Sequence, residues 1–213
     1  MEETLAILMA DLSGYTALTE THGAKSAADL IDKYIGIAEY SLGDDCFLHE
    51  RTGDQVMIVS NSPDSLLKTA IKIATITSRE ENFLQVHGGL HYGNVLKRNG
   101  SYFGSAINMA ARIAAKAEAG SIWCSREFAL AVEDSEEVAV KAKGSFQFKN
   151  ITGKKEIFEI TIANKTQAYI DPVCNMVLLN LQNAFQHKTE HSKYFCSLLC
   201  REQYDSRRQV TVS

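Results

Sequence analysis

The sequence predicts an α+β fold in which helices pack against a sheet that includes a β-hairpin. Segments with apolar residues at helical spacing alternate along the chain with short apolar runs of strand type. Two of these runs flank Thr52-Gly53-Asp54, a turn sequence that is typical of a hairpin. Helices interspersed with hairpins in one chain are typical of an α+β sandwich.

The individual elements follow from the same patterns. Apolar residues at Ala27, Leu30 and Ile31 predict a helix over residues 26–42. Pro63 suits the first turn of a second helix, because its fixed φ is already helical. The predicted order is a strand at 4–10, a helix at 26–42, hairpin strands at 46–50 and 55–60, a helix from 63, a strand at 84–91, a helix at 105–117, a strand at 121–124, a helix at 125–132, and closing strands at 138–149 and 156–162.

Composition narrows the class of protein. A chain of 213 residues with 45% apolar residues can bury one ordinary core and carry a small appendage. The net charge of -4 and the absence of a basic block argue against a nucleic-acid partner. No apolar run has the length of a membrane span, and the start of the chain lacks the basic residues of a signal peptide. Five cysteines, an odd number, favour reduced thiols, so we expect a cytoplasmic protein with no membrane partner.

Four polar residues occur in segments that suggest phosphate chemistry. Asp11 and Asp54 each lie beside an apolar run and close to a glycine that allows a sharp turn. Asn108 and Arg112 are four residues apart, which places them on one face of a helix. Two carboxylates can hold divalent metals against a triphosphate, and an Asn/Arg pair can steady the sugar and the reacting phosphate. Either aspartate alone would be read as an ordinary turn residue.

Five motifs follow one another along the chain, and three of them contain these four residues. They are Met9-Ala10-Asp11-Leu12-Ser13-Gly14-Tyr15-Thr16, Gly53-Asp54, Gly89-Leu90-His91-Tyr92-Gly93, Tyr102-Phe103-Gly104-Ser105-Ala106-Ile107-Asn108-Met109-Ala110-Ala111-Arg112, and Ala119-Gly120-Ser121-Ile122-Trp123-Cys124-Ser125. In this order they resemble the catalytic domain of class III nucleotide cyclases, over about three quarters of the chain. The resemblance implies a ferredoxin-like α+β domain over residues 1–163 that forms a cyclic nucleotide and pyrophosphate from a nucleoside triphosphate.

The resemblance also implies roles for individual residues. Asp11, Asp54 and the carbonyl of Leu12 would hold two Mg²⁺ or Mn²⁺ ions in each active site, which hard oxygen ligands suit. Asn108 would orient the ribose, and Arg112 would offset charge in the transition state. In the family, the active sites are shared between the two subunits of a homodimer. The implied phosphate contacts are the backbone N–H groups around Ser13, Gly14, Tyr15 and Thr16, with Lys149 as a weaker candidate.

Two positions bear on the choice between GTP and ATP. Family members that use ATP commonly have Lys four residues before the second metal aspartate and Asp three before the glycine of the Asn/Arg segment. Here these positions hold Glu50 and Ser101. A carboxylate accepts hydrogen bonds from guanine N1–H and N2–H, whereas Lys donates to adenine N1. GTP is therefore the preferred substrate, although the Ser101 hydroxyl suits either base.

The remaining residues, 168–213, contain three of the five cysteines. Cys174 is separated from Cys196 by 21 residues, and Cys200 follows four positions after Cys196. The segments 170–176 and 194–200 resemble the two halves of a YHS domain. Three thiolates could bind a structural ion, zinc rather than copper, with His187, His191 or Asp171 as the fourth ligand. The alternative is that all three cysteines are reduced and buried against the preceding domain.

A second function remains open. The protein would then be a non-catalytic dimer with a cyclase fold that serves as a metal- or redox-sensing binding protein. Retention of both aspartates, Asn108 and Arg112 argues against loss of catalysis. His87 and His91 are interpreted as packed or hydrogen-bonded strand residues, and Cys46 and Cys124 as core residues.

Overall fold

The computed structural model describes residues 1–132, 139–161 and 168–211. The strands are β1 (Glu2–Leu12), β2 (Cys46–Thr52), β3 (Gln55–Ser60), β4 (Phe83–Leu84), β5 (Val86–Arg98), β6 (Ser101–Phe103), β7 (Ile122–Ser125), β8 (Ala139–Gln147), β9 (Lys154–Thr161), β10 (Tyr169–Ile170), β11 (Met176–Leu178), β12 (Phe185–Gln186) and β13 (Tyr194–Phe195). The helices are α1 (Tyr15–Ser41), α2 (Pro63–Thr77), α3 (Ser105–Ala114), α4 (Arg126–Ala131) and α5 (Leu198–Thr211), with a 3₁₀ turn at Leu181–Asn183.

Strand β1 lies within the main sheet, whose strand order is β2-β3-β1-β5-β7-β9-β8. It pairs antiparallel with β3 on one side and with β5 on the other, and β6 pairs with the far end of β5. Its side chains alternate between two cores. Leu8 and Ala10 pack with α1 and α2, whereas Ile7 and Met9 pack with α3. Because both faces are covered, this strand is a continuous apolar run rather than an alternating one.

Most predicted elements are present with shifted ends, but α1 is longer than expected. It begins at Tyr15 instead of residue 26, and Gly23 interrupts it with non-helical angles of φ 81° and ψ 167°. Only Leu18 and Thr21 are buried before the interruption, so the first part has little apolar spacing for a sequence pattern to detect. None of the helices in the described ranges has the length and apolar character needed to cross a membrane.

The other differences are at strands. The single strand expected at 84–91 is two, the short β4 and the longer β5. β5 continues to Arg98 and turns through Asn99 and Gly100, both at positive φ, into the unpredicted β6. Val138 and Ile162, at the ends of two predicted strands, and the predicted linker at 163–167 lie outside the described residues.

The cysteine-containing C-terminal segment joins the first part of the chain through β-sheet pairing. β11 pairs antiparallel with β4, giving a three-stranded sheet of order β10-β11-β4. The Asn82 N–H donates to the carbonyl of Val177 at 2.9 Å, and Glu81 accepts from the N–H groups of Leu179 and Asn180. A small core of its own forms from Val173, Cys174, Phe195 and Cys200. The division into 1–163 and 168–213 remains a prediction.

Candidate active site

Asp11 and Asp54 lie side by side at one end of the sheet. Asp11 is at the end of β1, and Asp54 follows Gly53 in the turn between β2 and β3. The pairing of Ala10 with Val56 brings these two positions together. Burial and the neighbouring Asp11 carboxyl raise the pKa of Asp54 from 3.8 to about 6. The two carboxylates therefore form a site that disfavours two negative charges.

Tyr34 and His87 border this carboxylate pair. Tyr34, on α1, is fully buried, and its hydroxyl has no hydrogen-bond partner in the described part of the chain. Burial, with the charges of Asp11 and Asp54, raises the pKa of Tyr34. His87 on β5 is opposite Asp11, and its Nδ1 lies 2.8 Å from Ser13 Oγ. Burial lowers the pKa of His87, while Asp54 opposes that shift.

Tyr34 was not among the predicted site residues, and His87 was interpreted only as a packed or hydrogen-bonded strand residue. Tyr34 follows the apolar spacing of a helix and His87 lies within a strand, so neither belongs to a recognisable site motif. The fold brings both side chains beside the carboxylates. The expected hydrogen bonds of the strand histidines are present: His91 Nδ1 lies 2.8 Å from Ser125 Oγ. Cys46 and Cys124 are buried core residues, as predicted, and burial raises the pKa of Cys124 to about 12.

The segment from Ser13 to Thr16 forms the start of α1 next to Asp11. Gly14 caps the helix in the left-handed region, at φ 93°, and supplies no side-chain hydrogen bond. The Ser13 N–H donates to the carbonyl of Gln85 at 2.8 Å and is therefore engaged. The N–H groups of Tyr15 and Thr16 belong to the first turn, where a helix offers no internal acceptor. These two groups can donate hydrogen bonds to an anion.

The remaining residues expected in the active site are exposed on other elements. Asn108 and Arg112 share the outer face of α3, whose opposite face packs Ala106 and Ala110 against the sheet. Neither residue makes a hydrogen bond or ion pair within the described ranges. Exposed positions are also found for Glu50 on β2, Ser101 on β6, and Lys149 in the turn after β8. One chain thus brings the two aspartates together but leaves these five side chains on its surface.

The three C-terminal cysteines lie close together, and the side chain beside them is His22 of α1, which was not predicted to be a ligand. Cys196 Sγ lies 3.5 Å from the Sγ atoms of both Cys174 and Cys200. His22 Nε2, on α1, lies 3.4 Å from the Sγ atoms of Cys196 and Cys200. All four ligand atoms are within 4.8 Å of one another.

The proposed fourth ligands His187, His191 and Asp171 are not in this cluster. His187 is occupied elsewhere, because its Nε2 contacts Asp205 and its Nδ1 accepts from the Glu190 N–H. The Asp171 carboxylate accepts backbone N–H groups of the cysteine turns. His22 was missed because it precedes Cys196 by 174 residues, so no local spacing connects them.

Comparison with known proteins places the first part of the chain in a family. Residues 1–164 match the sequence model of the family described as the adenylate and guanylate cyclase catalytic domain. The chain belongs to this family. An uncharacterized protein of Mycobacterium tuberculosis is 38% identical over 120 residues, which cover 56% of this chain and 32% of that protein. A pH-sensitive adenylate cyclase of the same species is 26% identical over 159 residues, covering 73% and 40%. This chain spans between about three and four tenths of these relatives' lengths.

Solved cyclase structures share the fold. The adenylyl cyclase CyaB of P. aeruginosa superposes with a TM-score of 0.66 at 17% identity, covering 78% of this chain and 97% of that one. The guanylate cyclase domain of RhGC from Catenaria anguillulae, solved in complex with GTP, gives 0.65 at 18% identity, with 76% and 98% covered. The predicted α+β cyclase fold with a C-terminal cysteine cluster is therefore confirmed. The family match ends before the first of the clustered cysteines.

Proposed function

We propose that the protein is a nucleotide cyclase that converts a purine nucleoside triphosphate to its 3′,5′-cyclic monophosphate and pyrophosphate. In this reaction the ribose 3′-oxygen bonds to the α-phosphorus, and the bond from that phosphorus to the pyrophosphate oxygen breaks. The observation that carries the proposal is the Asp11–Asp54 pair next to the free N–H groups that begin α1. Family membership supports the same reaction.

The carboxylate pair fits two divalent cations. Its donors are hard oxygens, from Asp11, Asp54 and the Leu12 carbonyl, which suit Mg²⁺ or Mn²⁺. Burial and the neighbouring Asp11 carboxyl raise the pKa of Asp54 and so disfavour its charged form, which bound cations would stabilise. When bound, the ions lower the pKa of the attacking hydroxyl and offset phosphate charge.

The chain's other groups position the nucleotide. The N–H groups of Tyr15 and Thr16 bind the departing phosphates at the positive end of α1. Asn108 orients the ribose, and Arg112 offsets charge that develops on the phosphate in the transition state. Lys149 is a secondary phosphate contact. Its side chain is exposed in the turn after β8 and is therefore accessible to a nucleotide.

A second copy of the chain would complete the site. Asn108 and Arg112 face solvent and have no polar partner among the described residues, although both are needed for the reaction. We place them, with Glu50 and Ser101, opposite Asp11 and Asp54 of the partner subunit across a two-fold axis. Such a symmetric arrangement creates two equivalent active sites in one homodimer.

GTP is the proposed substrate, with ATP as the competitor. Glu50 can accept hydrogen bonds from guanine, and adenine offers no N1–H in its place. The related proteins that have a named activity are adenylate cyclases, which is why ATP must be tested alongside.

The five free cysteines fit a reducing compartment, consistent with the cytoplasm. We assign the C-terminal segment to the YHS domains on the resemblance of residues 170–176 and 194–200 and on the cysteine spacing.

One experiment tests the activity and the base together. The purified full chain is incubated with equal concentrations of ATP and GTP and with Mn²⁺, and the products are identified by mass spectrometry. We expect cyclic GMP in excess of cyclic AMP, and no product from the isosteric variant Asp54→Asn. Absence of both products from the unmodified chain would contradict the proposal and favour the non-catalytic alternative, which the cysteine–histidine cluster also fits.

A further inference from the structure

Four of the six distances among the clustered ligand atoms are close to those of a tetrahedral metal site. The distances of 3.5 Å between sulfurs exclude a disulfide, in which the two sulfurs are about 2.05 Å apart. A tetrahedral zinc ion with metal–sulfur bonds of about 2.3 Å and a metal–nitrogen bond of about 2.0 Å holds its ligand atoms roughly 3.5–3.8 Å apart. Cys196 lies 3.5 Å from Cys174 and Cys200, and His22 lies 3.4 Å from Cys196 and Cys200, so these four distances are close to that range. The remaining two distances, from Cys174 to Cys200 and to His22, are at most 4.8 Å.

Backbone hydrogen bonds hold the sulfurs in place. The fully buried Asp171 accepts from the N–H groups of Val173 and Cys174 through Oδ1, and from that of Cys196 through Oδ2. One carboxylate therefore connects the turn that carries Cys174 to the segment that carries Cys196. The Cys200 N–H donates to Ser197 Oγ at 3.2 Å. Such outer contacts orient the ligands of protein metal sites.

Simple packing of three reduced thiols does not account for the position of His22. A core of reduced cysteines needs only apolar neighbours, whereas an imidazole nitrogen is directed at two of the sulfurs. Three thiolates and one imidazole are a closed zinc ligand set with no open position for substrate.

The residues that follow Cys174 contact the start of the proposed active site. A Cβ atom added to Gly14 would be 2.6 Å from the Cβ and Nδ2 atoms of Asn175, so these two residues are in close contact. The next residue, Met176, pairs with Leu84 in the sheet between β11 and β4. Gln85 follows Leu84, and its carbonyl accepts the Ser13 N–H. The cysteine segment therefore contacts Gly14 directly through Asn175. It also pairs with the strand that precedes Gln85, the residue that accepts the Ser13 N–H.

We propose that His22, Cys174, Cys196 and Cys200 bind one Zn²⁺ ion, and that this ion fixes the C-terminal segment to α1 so that Asn175 supports Gly14. The ion joins residues from the two ends of the chain, and its binding energy adds to the stability of a segment that has only a small core. The view that Gly14 begins a phosphate-binding segment, and so that this support aids catalysis, rests on the proposed function. The metal site and its contact with Gly14 do not.

The ligand set is tested with Zn²⁺ and Co²⁺ on the full chain. We expect one ion per chain, and for Co²⁺ the visible absorption of a tetrahedral site with thiolate-to-metal charge transfer. His22→Ala should lower the affinity by more than about tenfold, the smallest loss usual even for an outer contact. The matched control His191→Ala alters an exposed histidine outside the cluster and should bind like the unmodified chain. A chain that binds neither ion, or an unchanged affinity in His22→Ala, would overturn the site.

The link to Gly14 is tested by hydrogen exchange in the peptide that covers residues 13–18. Removal of zinc should accelerate exchange there and leave β8 unchanged. Asn175→Gly keeps the positive φ of this position, 63°, but removes the side chain that contacts Gly14. This variant should bind Co²⁺ normally and still show faster exchange at 13–18. Unchanged exchange in both cases would refute the link. If zinc binding and exchange respond as expected while no cyclic nucleotide forms, the proposed function fails and this inference stands.

Discussion

The cysteine–histidine cluster and the proposed active site both adjoin α1, but one chain brings together all groups of the first and only some groups of the second. All four groups of the cluster lie within 4.8 Å of one another in a single chain. The carboxylate pair is formed by one chain, while Asn108 and Arg112 remain exposed and without polar partners in the described ranges. A site that is complete within one chain needs no assembly, whereas an incomplete one implies a partner. We therefore expect the cysteine–histidine cluster to bind its ion in a single chain and the proposed catalytic site to depend on dimer formation.

Removal of either carboxylate should produce the largest effect. Asp11→Ala or Asp54→Ala is expected to lower cyclic nucleotide formation at least about a hundredfold, because the attacking hydroxyl stays protonated and phosphate charge goes uncompensated. Zinc content should be unchanged in both variants. Initial rates with GTP and Mn²⁺ measure the loss, with Asp45→Ala, in an exposed turn, as the control. Full activity in either variant would show that the metal assignment is wrong.

Mixing two inactive variants tests whether the catalytic site is shared. Asp54→Ala lacks a residue on one side of the proposed interface, and Arg112→Ala lacks one on the other. After subunit exchange, half of the dimers are mixed and each has one intact site, so activity should return to about a quarter of the unmodified value. Rates are measured before and after exchange, with exchange itself followed by differently tagged chains. Failure to recover activity despite exchange would place all the residues within one chain.

The base preference should respond to the residues proposed to read it. The double variant Glu50→Lys with Ser101→Asp replaces an acceptor with a donor at one base edge and supplies an acceptor at the other. We expect the ratio of kcat/KM for GTP over ATP to fall at least about tenfold, because the buried groups of guanine would be left unpaired. The same assay on Lys149→Ala, which changes a proposed phosphate contact, should leave this ratio unchanged. A preference for ATP in the unmodified chain would contradict the role of Glu50.

The smallest expected effect is on the free energy of unfolding, and it follows from the raised pKa of Asp54. A carboxyl whose pKa is about 6 in the folded state and near 3.8 when unfolded binds its proton more tightly when folded. It therefore destabilises the folded state as pH rises from about 4 to 6. Relative to Asp54→Asn, the unmodified chain should lose about 1 kcal/mol of unfolding free energy between pH 4 and 7, after allowance for solvent screening. Denaturant unfolding without added Mg²⁺ measures it, and added Mn²⁺ should reverse the loss at pH 7.

Local patterns were sufficient for some features and insufficient for others. The hairpin around Gly53 and the helix from Pro63 were predicted because their turn and cap residues are adjacent in sequence. The first part of α1 was missed because its buried residues are few and Gly23 breaks its pattern. The three-residue β6 is too short to carry a period. His22 could not be found by spacing, because only the folded chain brings α1 to the cysteines.

Dilution offers the most direct test of the contrast between the two sites. Cyclic nucleotide formed per chain, zinc per chain and molecular mass by light scattering are measured on the same samples over a wide range of protein concentration. We expect activity per chain to fall in step with the loss of dimer, while zinc remains at one ion per chain. Constant activity per chain in samples that are monomeric by mass would contradict the shared active site.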